Sequence, residues 1–337
     1  MTCDSCERYR EEGANFCPEC GAQLVRNGLL PYNVKKRYGF IFYAGIIAAV
    51  QGMLIMLVEI LIGWGKTGDV MDDLAGSSYT FYYLTPHIHD LVKVSGVWLQ
   101  AIYVLEMIFV TFCFGYMLWL AYRKLKETYV NYGELKNTAA YEAPVILGLI
   151  LLAEMAYLIF LLIIGIDLDS PEGMDDSGRM IFSLLNASVY EEILCRLLMI
   201  GLPCLIVAMI LKRDGPKSKY LLGGAKFEWW MVIFVLFSAI MFGMGHLDNW
   251  GGWKFLPTFA FGLATGYVYL RYGLYATVAM HFINDFLTAT SWIGGSQATL
   301  MLGMLAVGVC ALPCVADYAM KGYGFVTASV KALKKER

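Results

Sequence analysis

Residues 190–196 read Tyr-Glu-Glu-Ile-Leu-Cys-Arg and lie inside an apolar run that extends from Met180 to Leu211. The run is longer than the roughly 20 apolar residues that a helix needs to cross a bilayer, so it predicts a membrane-spanning segment. Ionisable side chains inside such a segment are costly unless they are paired or face a polar cavity. The stretch therefore indicates a helical membrane protein with a functional site inside one of its spans.

The composition of the whole chain favours the same class of protein. Of 337 residues, 58% are hydrophobic and 16% are charged, whereas about one quarter of the residues of soluble domains are charged. Several other segments are also long and apolar enough to cross a bilayer as helices. We predict an all-α membrane protein, a polytopic bundle of about eight transmembrane helices in contact with membrane lipid. The net charge is −2, and we expect no nucleic-acid partner.

The loops between the predicted spans differ in charge. Basic loops follow every second span, on the side of the membrane that carries both termini. Of 26 Lys and Arg residues, four lie on the opposite side and one inside a span: Lys66, Lys93, Arg179 and Lys254 opposite, and Arg196 within. The positive-inside rule makes the terminal side cytoplasmic, so we expect both termini in the cytoplasm. The predicted spans are residues 38–64, 92–122, 144–166, 180–211, 229–246, 255–270, 274–290 and 298–319.

Four cysteines near the N-terminus form two CxxC pairs, Cys3 with Cys6 and Cys17 with Cys20. This spacing predicts one tetrahedral structural zinc held by four thiolates. A segment this short has little core and needs the metal to fold. Two disulfides or redox-active CxxC pairs are the alternatives. We expect residues 1–24 to form a small zinc ribbon that recruits or regulates a protein partner, because four thiolates leave no open position on the metal.

Two later spans carry further polar motifs. One span ends in Phe242-Gly-Met-Gly-His246, and another contains His281-Phe-Ile-Asn-Asp285. Residues four apart share a helix face, so each motif presents its two terminal residues on one side of its helix. We expect these side chains to meet the acidic stretch of the earlier span inside the bundle.

The two adjacent glutamates should have different partners. Glu192 and Arg196 are four residues apart and can pair on one helix face. Glu191 points roughly 100° away from Glu192 around a regular helix and has no local cation. We therefore expect Glu191 to find its polar partners on other helices.

Two imidazoles and two spare carboxylates from three spans permit two chemistries. In the first, His246, His281 and a carboxylate bind a zinc ion whose open position holds a water. In the second, Glu191 and His246 activate a water while His281 and its neighbour stabilise the oxyanion. Both hydrolyse an amide. The competing interpretation is structural, since intramembrane carboxylates and histidines also hydrogen-bond between helices without catalysis.

The three motifs in order, Glu-Glu-x-x-x-Arg, Phe-x-x-x-His and His-x-x-x-Asp, resemble the CPBP family of intramembrane proteases, which includes type II CAAX prenyl endopeptidases, bacteriocin-processing enzymes and Abi-type proteins. The resemblance covers about residues 144–320. It implies a site of Glu191, Glu192, His246, His281 and Asp285, with Arg196 and Phe242 in structural support.

The same resemblance implies a division of roles and a substrate class. Glu191 and His246 would activate the attacking water, and His281 with Asp285 would complete the site. CAAX endopeptidases usually carry Asn where this chain has Asp285. Because an ionised Asp cannot donate to an oxyanion, Asp285 is either protonated, orients His281 or binds a metal. The implied substrate is a membrane-bound protein or peptide, prenylated in the CAAX case.

There are two alternatives to the protease. One is a non-enzymatic membrane scaffold that recruits partners through the ribbon. The other is an ion or metal carrier, which is disfavoured because this chain lacks the paired broken helices typical of such proteins.

The chain divides into units by composition and motif. The predicted units are a ribbon at 1–24, a linker at 25–37, two accessory transmembrane helices within 38–143, a catalytic core at 144–320 and a basic tail at 321–337.

Overall fold

The computed structural model describes residues 6–11, 19, 39–85, 87–127, 132–166, 177–293, 297–320 and 322–323. Cys6 is buried at the start of a short helix. Cys3, Cys17 and Cys20 lie outside the described residues, as do the linker and most of the basic tail. The zinc ribbon and its metal therefore stay predictions.

Most of the described chain is helical, as expected for a chain whose apolar runs must satisfy their own backbone groups in lipid. Helices are numbered in chain order. They are α1 (Cys6–Glu11), α2 (Phe40–Gly65), α3 (Thr67–Ala75), α4 (Val97–Glu127), α5 (Ala139–Ile163), α6 (Ser177–Asn186), α7 (Leu202–Ile210), α8 (Ser218–Leu222), α9 (Met231–Gly245), α10 (Leu247–Trp250), α11 (Phe255–Tyr272), α12 (Leu274–Ile293) and α13 (Gln297–Ala311).

Six segments of the described chain are long and apolar enough to cross a membrane. The prediction of about eight spans is supported for these six and remains a prediction for the rest. The helix α11 is not among them, and it contains Pro257, Thr258 and Arg271, which lower its mean hydropathy. The six segments are Phe40–Gly65, Val97–Lys126, Ala139–Ile163, Gly178–Ile210, Met231–Trp250 and Leu302–Met320.

The prediction of an all-α fold is wrong for residues 78–95, which form a two-stranded antiparallel sheet. Strand β1 (Ser78–Leu84) pairs with β2 (Ile88–Ser95), and the register shifts between Phe81 and Tyr82. Aromatic and β-branched residues, which are frequent here, favour strands. The aromatic cluster of Tyr79, Phe81, Tyr82 and Tyr83 is equally typical of a membrane interface. The sequence prediction began the second span at residue 92, whereas the helix begins at Val97.

The span that contains the acidic stretch is not a regular α-helix. After α6, two π-helical segments follow at Ala187–Glu191 and Ile193–Gly201. The Oγ of Ser238 on α9 donates a hydrogen bond of 2.6 Å to the carbonyl of Cys195 inside the second segment. π-Helical turns are rare in proteins, but those that occur are often found at functional sites. Here they lie on both sides of Glu192.

The helix α12 lies at the centre of the bundle. Val278, Met280 and Phe282 are fully buried there, and His281 is 3% exposed. Large apolar side chains such as Ile163 and Ile233 are exposed on the outside, which is the arrangement that lipid requires. The polar motifs are therefore enclosed by helices, as expected from their sequence.

Candidate active site

The pairing of Glu192 with Arg196 is confirmed. Both side chains are fully buried, and Arg196 Nε lies 3.3 Å from Glu192 Oε2. The guanidinium also donates to Ser238 Oγ at 3.2 Å and to Thr265 Oγ1 at 2.5 Å. Its carbon lies 5.0 Å from the centroid of the Phe242 ring. Arg196 therefore joins the acidic span to α9 and α11 while it compensates a buried carboxylate.

His281 lies among three carboxylates. Its Nδ1 is 2.9 Å from Glu192 Oε1, and its Nε2 is 3.3 Å from Asp285 Oδ2 and 3.8 Å from Glu191 Oε2. An ionised carboxylate only accepts hydrogen bonds, so a ring protonated at both nitrogens donates on both sides. Glu192 is thus shared between Arg196 and His281, which gives it a wider role than the single ion pair expected from helical spacing.

Glu191 finds its partners outside its own span, as its lack of a local cation indicated. Besides His281, the phenol of Tyr82 donates a hydrogen bond of 2.5 Å to Glu191 Oε1. Tyr82 belongs to strand β1 and was missed by the sequence reasoning. The aromatic cluster around it was visible in the sequence, but pairing across 109 positions leaves no local pattern.

His246 is the last residue of the α9 motif, and its hydrogen bond goes to its own helix and not to the acidic stretch. Its Nδ1 lies 2.8 Å from the carbonyl oxygen of Phe242. A carbonyl only accepts, so Nδ1 is the donor of this bond. The Phe242 ring contacts both imidazoles, at 4.7 Å from His246 and 5.9 Å from His281 between centroids. Within the described chain, no hydrogen bond or ion pair joins His246 directly to Glu191.

Asp285 occupies the position where an amide was expected from the resemblance. Besides facing His281, it accepts a hydrogen bond of 3.1 Å from the Asn284 amide at Oδ1. Its side chain is 14% exposed. An ionised Asp285 could only accept hydrogen bonds here and could not donate one to an oxyanion.

The donor set was tested for a catalytic zinc. Among the described residues, no three His, Cys, Asp or Glu side chains form a group that could hold a metal ion. Both nitrogens of His281 face carboxylate oxygens. The residues as they lie do not fit the zinc site considered from the sequence, and we derive no step through a metal.

Two accessory helices bring further carboxylates into the interior. Glu59 on α2 is 1% exposed and Glu106 on α4 is 8% exposed. Glu59 interacts electrostatically with Asp285. Glu154, by contrast, lies 3.5 Å from Lys254. The first two accessory helices therefore contribute to the surroundings of the site, although the family resemblance did not include them.

The class of protein follows from this architecture: an integral membrane protein with a buried cluster of carboxylates and imidazoles. Residues 176–287 match the sequence model of a family described as type II CAAX prenyl endopeptidase, Rce1-like. All three motifs lie in this segment, which is narrower than the 144–320 expected. No curated protein matches the chain, and no solved structure matches it. The matched segment is similar to this protease family; the protease activity of the chain and the wider grouping with Abi-type proteins remain predictions.

Proposed function

We propose that this protein is an intramembrane endopeptidase that hydrolyses a peptide bond of a membrane-associated protein or peptide with a prenylated, CAAX-type C-terminus. The observation that carries the proposal is the convergence of the Glu191, Glu192 and Asp285 carboxylates on the His281 imidazole within the matched segment. Ionisable groups inside a membrane are costly, so a cluster of this size is better explained by a functional role than by structural ion pairs alone.

Glu191 is the general base in this proposal. A water held by Glu191 and by Nε2 of His246 gives one proton to Glu191, and its oxygen attacks the carbonyl carbon of the scissile peptide. The tetrahedral intermediate then collapses, the carbon–nitrogen bond breaks, and Glu191 returns the proton to the leaving amine. General acid–base catalysis of this kind contributes about 10²- to 10⁴-fold in rate.

His281 supplies the positive charge that the intermediate needs. Doubly protonated and held by Glu192 and Asp285, it stabilises the developing oxyanion through its positive charge. Asp285 orients the ring, and Arg196 keeps Glu192 ionised by compensating its charge. Phe242 packs against both imidazoles and fixes their relative position.

The substrate reaches this site from lipid. The chain carries its positive loops on the side of its termini, so we place both termini in the cytoplasm, where prenylated C-termini are located. The ribbon at residues 1–24, with a structural zinc on Cys3, Cys6, Cys17 and Cys20, would bind a protein partner there.

The experiment that tests the proposal uses the full chain in liposomes. A farnesylated CAAX peptide and the same peptide without its lipid are incubated with the protein in heavy-oxygen water, and products are analysed by mass spectrometry. We expect cleavage of the farnesylated peptide with one heavy oxygen in the new carboxylate. Cleavage of neither peptide contradicts the proposed function, and equal cleavage of both contradicts the prenyl requirement.

A further inference from the structure

The hairpin of strands β1 and β2 lies between the two accessory spans, outside the segment that matches the protease family. It nevertheless contacts the candidate base directly, because Tyr82 donates to Glu191 Oε1 at 2.5 Å. A hydrogen bond from a neutral hydroxyl to a carboxylate is among the stronger ones in proteins. This bond occupies one oxygen of Glu191 and leaves the other toward His281.

Tyr82 is itself held in place by the residue that precedes Glu191. The Tyr190 hydroxyl donates to the backbone carbonyl of Tyr82 at 2.7 Å. The Tyr190 ring packs edge-on against Tyr82 at 5.7 Å and against Phe81 at 5.0 Å between centroids. The strand and the acidic turn therefore exchange hydrogen bonds in both directions, and the phenol is fixed relative to the carboxylate.

The far end of the hairpin is anchored beside the other motif. Asp248, close after His246, accepts a hydrogen bond of 3.2 Å from the backbone N–H of Ile88, and its Oδ1 lies 3.3 Å from His87 Nδ1. Leu84 packs against Gly245, where an added Cβ would come within 2.7 Å of Leu84 Cδ2. The hairpin thus spans the turn that carries Glu191 and the turn that carries His246.

The chemistry of Tyr82 suits a fixed donor. Burial, with the neighbouring charge of Glu191 as the next contribution, raises the pKa of Tyr82 well above its usual value. The phenol therefore keeps its proton at neutral pH and donates to Glu191, without competing with it as a base.

We propose that Tyr82 is a positioning residue of the active site, which holds the Glu191 carboxylate in the orientation that activates water, and that the accessory hairpin is part of the catalytic unit. The inference rests on the proposed function and adds to it a residue from outside the matched segment.

The test is Tyr82→Phe, which removes one oxygen and keeps the ring, in liposomes with the farnesylated peptide. We expect kcat to fall about 10- to 100-fold, the effect of losing a hydrogen bond to a charged group, with KM unchanged. The matched control is Tyr83→Phe, since Tyr83 is exposed and stacks on His89 at 5.2 Å. This control should keep the wild-type kcat and KM.

A purely structural role predicts a different pattern. If Tyr82→Phe lowers the folded fraction and the activity in the same proportion, or leaves kcat unchanged, the positioning role is overturned. Tyr190→Phe provides a second check: it should also lower kcat at unchanged KM, because it loosens the strand that carries the donor. Glu191→Gln is measured in the same assay: retained activity would refute the role of Glu191, whereas a wild-type protein that cleaves neither peptide would contradict the proposed function itself.

Discussion

Glu191 and Glu192 are neighbours in sequence and have different surroundings in the fold. Glu192 is fully buried between Arg196 and His281, whereas Glu191 is 12% exposed and bonded to Tyr82. Glu192 is held in place by the Arg196 cation and the His281 imidazole. Glu191 lies at the edge of the cluster, where it can exchange a proton with water. This difference favours Glu191 as the general base of the proposed mechanism.

Removing the cation that compensates Glu192 should destabilise the fold. Arg196→Met leaves a fully buried carboxylate with one partner fewer, and breaking a buried pair in this way costs about 3–5 kcal/mol. The free energy of unfolding in detergent measures the change. Arg213→Met is the control, because Arg213 pairs with Glu228 at 2.6 Å on the exposed surface and should cost less than about 1 kcal/mol. Equal losses in the two variants would contradict the account of Arg196.

At this scale, helical spacing alone predicted the Glu192–Arg196 pair and the isolation of Glu191, because both are properties of one local segment. The same spacing said nothing about Tyr82 or about the bond between His281 and Glu192, since both depend on elements far apart in the chain. The catalytic roles of these residues remain predictions.

The elements around the site pack more closely than regular apolar helices require. At Gly262 on α11, an added Cβ would lie 2.9 Å from Ala239 Cα on α9, which is a backbone contact that cannot move aside. The helix α9 ends at Gly245, just before His246. The position of that imidazole therefore depends on a glycine in a neighbouring helix.

A larger side chain at this crossing should separate α9 from α11. Gly262→Leu is expected to destabilise the protein by about 1–3 kcal/mol through overpacking and to lower turnover, because His246 moves with α9. Gly252→Leu is the control, since nothing lies within 4 Å of a Cβ at Gly252. Unfolding and peptide cleavage are measured for both variants. Wild-type stability of Gly262→Leu would show that the crossing is not as tight as described.

The positions of the long helices were predicted from the sequence, because the length of an apolar run is a strong signal. The hairpin and the π-helical turns were not predicted. The strands Ser78–Leu84 and Ile88–Ser95 lie between two long spans, and their aromatic residues are equally typical of a membrane interface. π-Helical turns have no sequence pattern of their own, because they arise from packing against neighbours such as Ser238.

The whole molecule combines a membrane bundle with a cysteine-rich N-terminal segment. Six spans are supported and about eight are predicted. The eight predicted spans would leave both termini on one side of the membrane. From the positive-inside rule we predict that this side is the cytoplasm, where thiols stay reduced and can bind zinc.

Metal content distinguishes a structural ribbon from a catalytic ion. We expect the full chain to bind one zinc, and a variant that lacks residues 1–24 to bind none while it still cleaves the peptide, because four thiolates hold a structural ion and the described site residues do not converge on another. Elemental analysis of the purified proteins gives the count. A zinc retained by the truncated protein would point to a second ion and would contradict this expectation.

In the proposed mechanism Glu191 activates water for peptide hydrolysis, and the variant Glu191→Gln removes this base. In liposomes with the farnesylated peptide, we expect its kcat to fall at least about 100-fold in a protein that unfolds like the wild type. The control Glu154→Gln makes the same change at a carboxylate paired with Lys254 and should retain activity. Turnover of Glu191→Gln equal to that of Glu154→Gln would contradict the account.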